Sequence, residues 1–297
     1  MAEAVALHVA GKYSEALLAC TRIADRFPQA RPPRERMEMI AAFLRSNGYQ
    51  MTPAKFAALR PAIEAAAARN VISAQMILGE RLRNLAPSES LKWFKAAAEN
   101  GQTEAMTQAG LMMANGRGTS GPDMRLALTW FQRAADHGDT DAMAALAECL
   151  IFGKGTAKDP RRAAALLNAA AAFNHPGAIN LLGDLFVKGS GVPQDYAEAF
   201  RLFTRAAELG SGEAVANLGV LYMGGKGVPA NPGKAVSIWK AGSAKGYPAC
   251  MLNYAKALES GSGTASNPAE ARRWYAAAAK AGNPAAAEWC KKNGTQP

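Results

Sequence analysis

The sequence predicts an all-α fold, a solenoid of antiparallel helix pairs, on three observations. First, residues able to end a helix in a left-handed turn recur at Gly101, Gly138, Gly210, Gly246 and Gly282, with Asn174 between the second and third, giving spacings of 37, 36, 36, 36 and 36 residues. Second, a Gly-x-Gly pair falls inside each period, as Gly116/Gly118, Gly153/Gly155, Gly189/Gly191, Gly225/Gly227 and Gly261/Gly263, where it bends the chain between two helices. Third, each period carries core residues at helical spacing. A small residue stands four positions after the closing residue (Ala105, Ala142, Ala178, Ala214, Cys250, Ala286), and a bulky pair stands late in the second helix (Trp93-Phe94, Trp130-Phe131, Leu166-Leu167, Leu202-Phe203, Ile238-Trp239, Trp274-Tyr275).

In chain order, residues 2–28 read as two helices with a turn at Gly11-Lys12, and Pro28 stops the second. The run Gly11, Tyr13, Ala16, Pro28 resembles a tetratricopeptide repeat, with Ile23 where that family carries Ala. Arg31 to Arg36, RPPRER, reads as a Pro-rich connection, Met37 to Ser46 as a helix, and Asn47-Gly48 as a turn. A helix over 53–69 follows with Thr52 as N-cap and Pro53 as its first residue, and Pro61 is expected to kink it or to begin a new helix. From Asn70 the repeat register holds to the C-terminus. The first unit, 70–100, lacks the Gly-x-Gly segment, and the last retains only its first helix.

Composition bounds the function. A chain of 297 residues with 49% hydrophobic and 20% charged residues can bury one or two cores and is not disordered. Lys+Arg 34 against Asp+Glu 24 gives +10, which permits contact with nucleic acid or anionic lipid. Acids are interspersed along most of the chain; the exception is Ala214 to Leu258, which holds Lys226, Lys234, Lys240, Lys245 and Lys256 and no acid. The basic-patch candidates are Lys226, Lys234, Lys240 and Lys245. Cys20, Cys149, Cys250 and Cys290 lie far apart with no zinc-ligand spacing and read as small core residues. The N-terminus has no secretory pattern and no apolar run reaches the ~20 residues of a spanning helix, so a cytoplasmic location is expected, or a periplasmic or secreted one if a leader has been removed.

The pattern Ala214, Leu218, Gly219, Tyr222, Gly225, Gly227, Val228, Ala235, Trp239, Gly246 resembles the Sel-1-like repeat family. The resemblance implies helix pairs stacked into a right-handed superhelix that acts as an adaptor for protein complexes. It divides the chain into a tetratricopeptide-like section, 1–69, and a Sel-1-like section, 70–297, with full repeats over 101–281 and a capping helix over 282–297. Members with a disulfide in each unit carry paired cysteines, which this chain lacks.

No catalytic constellation emerges. Gly-x-Gly repeats five times with no strand before it, so it is not a phosphate cradle. His137 and His175 read as equivalent inter-repeat positions, His137 at a helix C-terminus where positive charge is favourable; Asp139 and Asp141 read as N-cap and dipole partners. No catalytic residue, metal, cofactor or small-molecule substrate is expected. Binding is expected instead on the concave wall formed by first helices. Seven residues after the closing residue lie Gln108, Leu181, Asn217 and Asn253, and three later Glu148, Asp184 and Lys256, with Asn180 one place before Leu181. Asn217 and Asn253, with Asn180, form an amide ladder able to hold an extended peptide backbone. The expected partner is a protein or peptide. Nucleic acid or anionic membrane, bound through the lysines, is the alternative, as is service as the accessory domain of a larger enzyme or signalling complex.

Overall fold

A helix that ends against water must satisfy its last carbonyls, and the closing residues do this with a left-handed turn. At Gly246 (φ 87°) the Gly246 N–H donates to the Ser243 carbonyl at 3.0 Å and the Tyr247 N–H to the Gly242 carbonyl at 3.1 Å. At Asn174 (φ 59°) the Asn174 N–H donates to the Ala171 carbonyl at 3.0 Å and the His175 N–H to the Ala170 carbonyl at 3.3 Å. Asn70 is the other non-glycine residue with positive φ among the described residues, at 57°, so the closing series starts one unit earlier than the glycines show.

The structure is a computed structural model that describes residues 2–26, 32–46 and 51–296. All regular secondary structure among them is helical. Two compact units divide between Ala142 and Met143. The first contains α1 (Ala2–Val9), α2 (Tyr13–Arg26), α3 (Pro32–Ser46), α4 (Pro53–Ala68), α5 (Ile72–Leu82), α6 (Pro87–Glu99), α7 (Thr103–Ala114) and α8 (Met124–Asp136). The division falls within α9 (Thr140–Phe152). The second unit continues with α10 (Pro160–Ala172), α11 (Pro176–Lys188), α12 (Tyr196–Glu208), α13 (Gly212–Gly224), α14 (Pro232–Ala244), α15 (Pro248–Ser260), α16 (Pro268–Lys280) and α17 (Pro284–Lys292).

In both units consecutive helices pack on one another, and first helices of adjacent pairs also meet, as α13 does α15. Each unit is thus a succession of helix pairs, as the periodicity predicts. In the first, one hydrophobic cluster runs from Ala4 to Leu82 and crosses position 70 without a break.

Two expectations for the N-terminal section change. RPPRER is not a connection: α3 starts at Pro32, because proline lacks only an N–H that the first helical turn leaves unused. No new helix begins at Pro61, since α4 runs through it, with Thr52 accepting from the Lys55 N–H at 3.3 Å. Pro28 and the Asn47-Gly48 turn lie outside the described residues.

In four of the pairs the bulky residue of the second helix lies against a glycine of the first, as Phe94 on Gly79, Phe131 on Gly110, Phe203 on Gly183 and Trp239 on Gly219, while Ala147 and Ala255 hold the equivalent positions in the other two. A Cβ on Gly219 would enter the Trp239 indole, whose Nε1–H donates to the Ala216 carbonyl at 2.9 Å. Phe94, Phe131, Leu167, Phe203, Trp239 and Tyr275 are all buried, and so are the six small residues of the first helices. Burying each large side chain contributes about 1.5–3 kcal/mol.

The second helices begin alike. Asp123, Asp159, Asp195, Asn231 and Asn267 are their N-caps, each accepting from a first-turn N–H. Each cap's own N–H returns to the last turns of the preceding first helix, as Asn231 does to the Tyr222 carbonyl at 2.8 Å. The Gly-x-Gly bend is pinned between those two ties. Its second glycine carries an inter-repeat contact that the repeat pattern does not announce. At Gly227 (φ 71°), a Cβ would overlap the Tyr196 carbonyl, the first residue of α12.

Candidate partner-binding face

First helices in the second unit place their seventh- and tenth-position side chains on one side. Asn217 of α13 donates from Nδ2 to Asn180 Oδ1 at 3.0 Å and to Asp184 Oδ1 at 3.2 Å, both on α11. A carboxylate only accepts, so Asp184 fixes which end of the Asn217 amide points at it. Burial pushes the Asp184 carboxyl above the usual aspartate range, and Lys188 pulls it partly back. The ladder therefore joins Asn217 backward to Asn180 and Asp184, not forward to Asn253 as expected. Asn180 is buried, 7% exposed, so it supports the face rather than lining it. It is buried because its position faces the neighbouring first helix one residue out of phase with the exposed row.

On α15, Asn253 is half-buried and Lys256 exposed. Neither side chain makes a hydrogen bond or ion pair among the described residues. Val220 of α13, 46% exposed, holds the position equivalent to Lys256 in the repeat register. Glu148 is engaged by Lys154 at 2.7 Å.

In the first unit the corresponding face is tied by arginine. Arg83, the C-cap of α5, donates from Nη2 to Gln108 Oε1 at 2.9 Å. Arg45 of α3 pairs with Glu80 at 3.0 Å and also with Glu104, joining α3, α5 and α7. Sequence reasoning missed this staple. Its signal is weak, since Arg45 lies outside the repeat register and its partners are 35 and 59 residues away.

The lysines of the acid-free stretch do not form one cluster. Lys226 lies with Nζ 5.2 Å from the Tyr196 ring centroid and Lys234 4.3 Å from that of Tyr222. Lys240 is exposed on α14, and Lys245 is that helix's C-cap.

His137 and His175 are not equivalent. His137 caps the end of α8, and because the Arg133 carbonyl only accepts, its Nδ1 must carry the proton donated at 2.7 Å. His175 caps the start of α11, its Nδ1 accepting from the Ala178 N–H at 2.9 Å. One lies before the closing residue of its repeat and the other after it, so they meet opposite helix ends. Asp139 accepts from the Ala142 N–H at 2.7 Å, as an N-cap should. The four cysteines are buried and unpaired, and burial pushes the Cys250 thiol up to about 12, leaving it an inert packing group. Among the described residues no cluster of His, Cys, Asp or Glu is arranged to hold a metal ion, and no helix is long and apolar enough to cross a membrane.

The Sel1 repeat family model matches residues 74–102, 103–139, 140–172, 176–211, 212–247 and 248–283. A search of curated proteins finds no match. Among solved structures the chain is similar to a Sel1 repeat protein from Oxalobacter formigenes, with 28% identity and a TM-score of 0.61 over 71% of this chain and 84% of that one. It is also similar to c5321, a protective antigen of uropathogenic Escherichia coli with an SLR fold. That match has 21% identity and a TM-score of 0.65 over 91% of this chain, which spans 57% of the other. The immunity protein Pa5087 of Pseudomonas aeruginosa follows at 19% identity and a TM-score of 0.50, over 72% and 83% of the two chains.

Proposed function

The chain belongs to the Sel1 repeat family, whose units generally serve as scaffolds for protein–protein interaction, and from that premise we propose that it is a non-catalytic adaptor binding a partner polypeptide along the first helices of its pairs. The observation that carries this reading is the state of Asn253 and Lys256. Both project from a rigid helix, beside a ladder that holds α11 to α13, and their side-chain hydrogen-bonding capacity is unspent among the described residues. An amide offers one donor group and one acceptor group to an extended backbone, and the ammonium selects for negative charge next to it.

Asn217 serves a different purpose. It spends its amide on Asn180 and Asp184, so it sets the spacing of the first helices and presents its remaining acceptor to the partner.

Affinity purification from the native cell identifies the partner, and titration calorimetry with that partner tests the face. Asn253→Ala combined with Lys256→Glu lowers affinity by roughly tenfold, as expected for two contacts near an interface centre, while helical circular dichroism is unchanged. Equal affinity of variant and wild type removes this face from consideration.

A further inference from the structure

The helix pair α13–α14 carries a second surface at the Gly-x-Gly end of the repeat. Lys226, in the turn after α13, lies over Tyr196 of α12, and Lys234, in the first turn of α14, lies over Tyr222 of α13. Tyr222 meets Phe200 of α12 edge to face at 5.6 Å. Two exposed ammonium groups thus flank three rings contributed by adjacent helices. Gly227 makes the arrangement possible, since only a residue without a Cβ brings the turn down onto the Tyr196 carbonyl.

Among the described residues these charges have no counter-ion. Each lysine faces a ring, and neither makes an ion pair among the described residues. The acids that begin α12 are already committed: Asp195 accepts from the Ala197 and Glu198 N–H groups, and Glu198 pairs with Arg201. The N-cap of α14 is the neutral Asn231, and its first turn carries no acid.

We propose that this edge is a docking surface for an acidic polypeptide segment of a partner protein, whose carboxylates engage Lys226 and Lys234 together. Charge complementarity argues for the occupant, and the ring geometry argues for its class. Surfaces that bind single-stranded nucleic acid without sequence preference pair their basic groups with open aromatic faces on which bases stack. Here the lysines cover the Tyr196 and Tyr222 faces. A carboxylate approaches each ammonium from the side away from the ring and leaves the cation–π contact intact. Lysine is a point charge with three rotatable donors, so it accepts carboxylates in many orientations. The surface is distinct from the Asn253 and Lys256 face, and the two are tested by separate substitutions.

The test uses the full chain and a fluorescent oligoglutamate peptide, read by anisotropy at low and at physiological salt. Lys226→Glu with Lys234→Glu weakens binding by roughly tenfold or more at low salt, because two attractions become repulsions. Lys240→Glu with Lys245→Glu makes the same change in net charge and weakens it by less than about twofold, a ratio that general charge attraction would not give. If the reversed chain fails to fold, Lys226→Gln with Lys234→Gln gives the same order of effect between the pairs, at smaller size. Equal losses from the two pairs, or no loss from the first, overturn the proposal. So does tighter wild-type binding of an oligothymidylate of equal charge that is lost in Tyr196→Ala, since that result makes the rings stacking platforms.

Discussion

Gly246 and Gly227 both hold left-handed backbone, yet they do so for different reasons, and substitution separates them. A Cβ on Gly246 meets nothing within 4 Å, whereas one on Gly227 overlaps the Tyr196 carbonyl of the neighbouring repeat. Gly246→Asn therefore lowers stability by less than about 1 kcal/mol, as the native Asn174 suggests, while Gly227→Asn costs more than about 2 kcal/mol, measured as shifts in urea-unfolding free energy. Asp184 gives a pH-dependent case. Its carboxyl titrates higher in the folded chain than in the unfolded one because burial disfavours the charge. A raised folded value means that the stabilising contribution is complete below the ordinary aspartate range and is lost as pH rises through the raised value. Asp184→Asn keeps an oxygen for Asn217 and removes the charge. It is more stable than wild type at neutral pH, and the difference vanishes in acid below the aspartate range. A constant difference from neutral to acid pH would show that burial of the charge is not what Asp184 contributes.

At the scale of elements, the helix starts carry the register. Asn231 accepts from the Lys234 N–H at 2.9 Å and sends its own N–H to Tyr222, tying the start of α14 to the end of α13. Asn231→Ala loses about 1 kcal/mol in thermal or urea unfolding. Asn231→Asp keeps the cap and leaves stability within about 0.5 kcal/mol, while placing a negative charge in the first turn that carries Lys234, so oligoglutamate binding falls although folding does not. Much of this level was legible in the sequence, for a period of 36 residues repeated over several copies separates positions that tolerate change from those that do not. The closing turns, the Gly-x-Gly bends and the buried second member of each bulky pair follow from backbone sterics and helical spacing, which are local. The RPPRER segment misled because proline is equally at home in a connection and in a first helical turn. His137 and His175 misled because two residues on either side of a closing turn belong to opposite helix ends.

Over the whole molecule, stability in a stack of repeats is a sum of unit and nearest-neighbour contributions, so damage stays near its source. In Gly227→Ala, hydrogen exchange rises most in α12 to α14 and decays by repeat along the second unit; a uniform rise over residues 143–297 would mean that this unit opens as one cooperative body. The sequence alone determined the helix pairs, their period and the residues that fill each pair's core, because caps, turns and burial patterns depend on neighbours within about one repeat. Only the tertiary structure decided that Asn217 is bound to Asn180 and Asp184, that Arg45 joins α3, α5 and α7, and that Lys226 lies over Tyr196 and Lys234 over Tyr222. Such pairings depend on which faces meet when one repeat stacks on the next, and the 33 to 59 residues between the polar partners leave no trace in a local pattern.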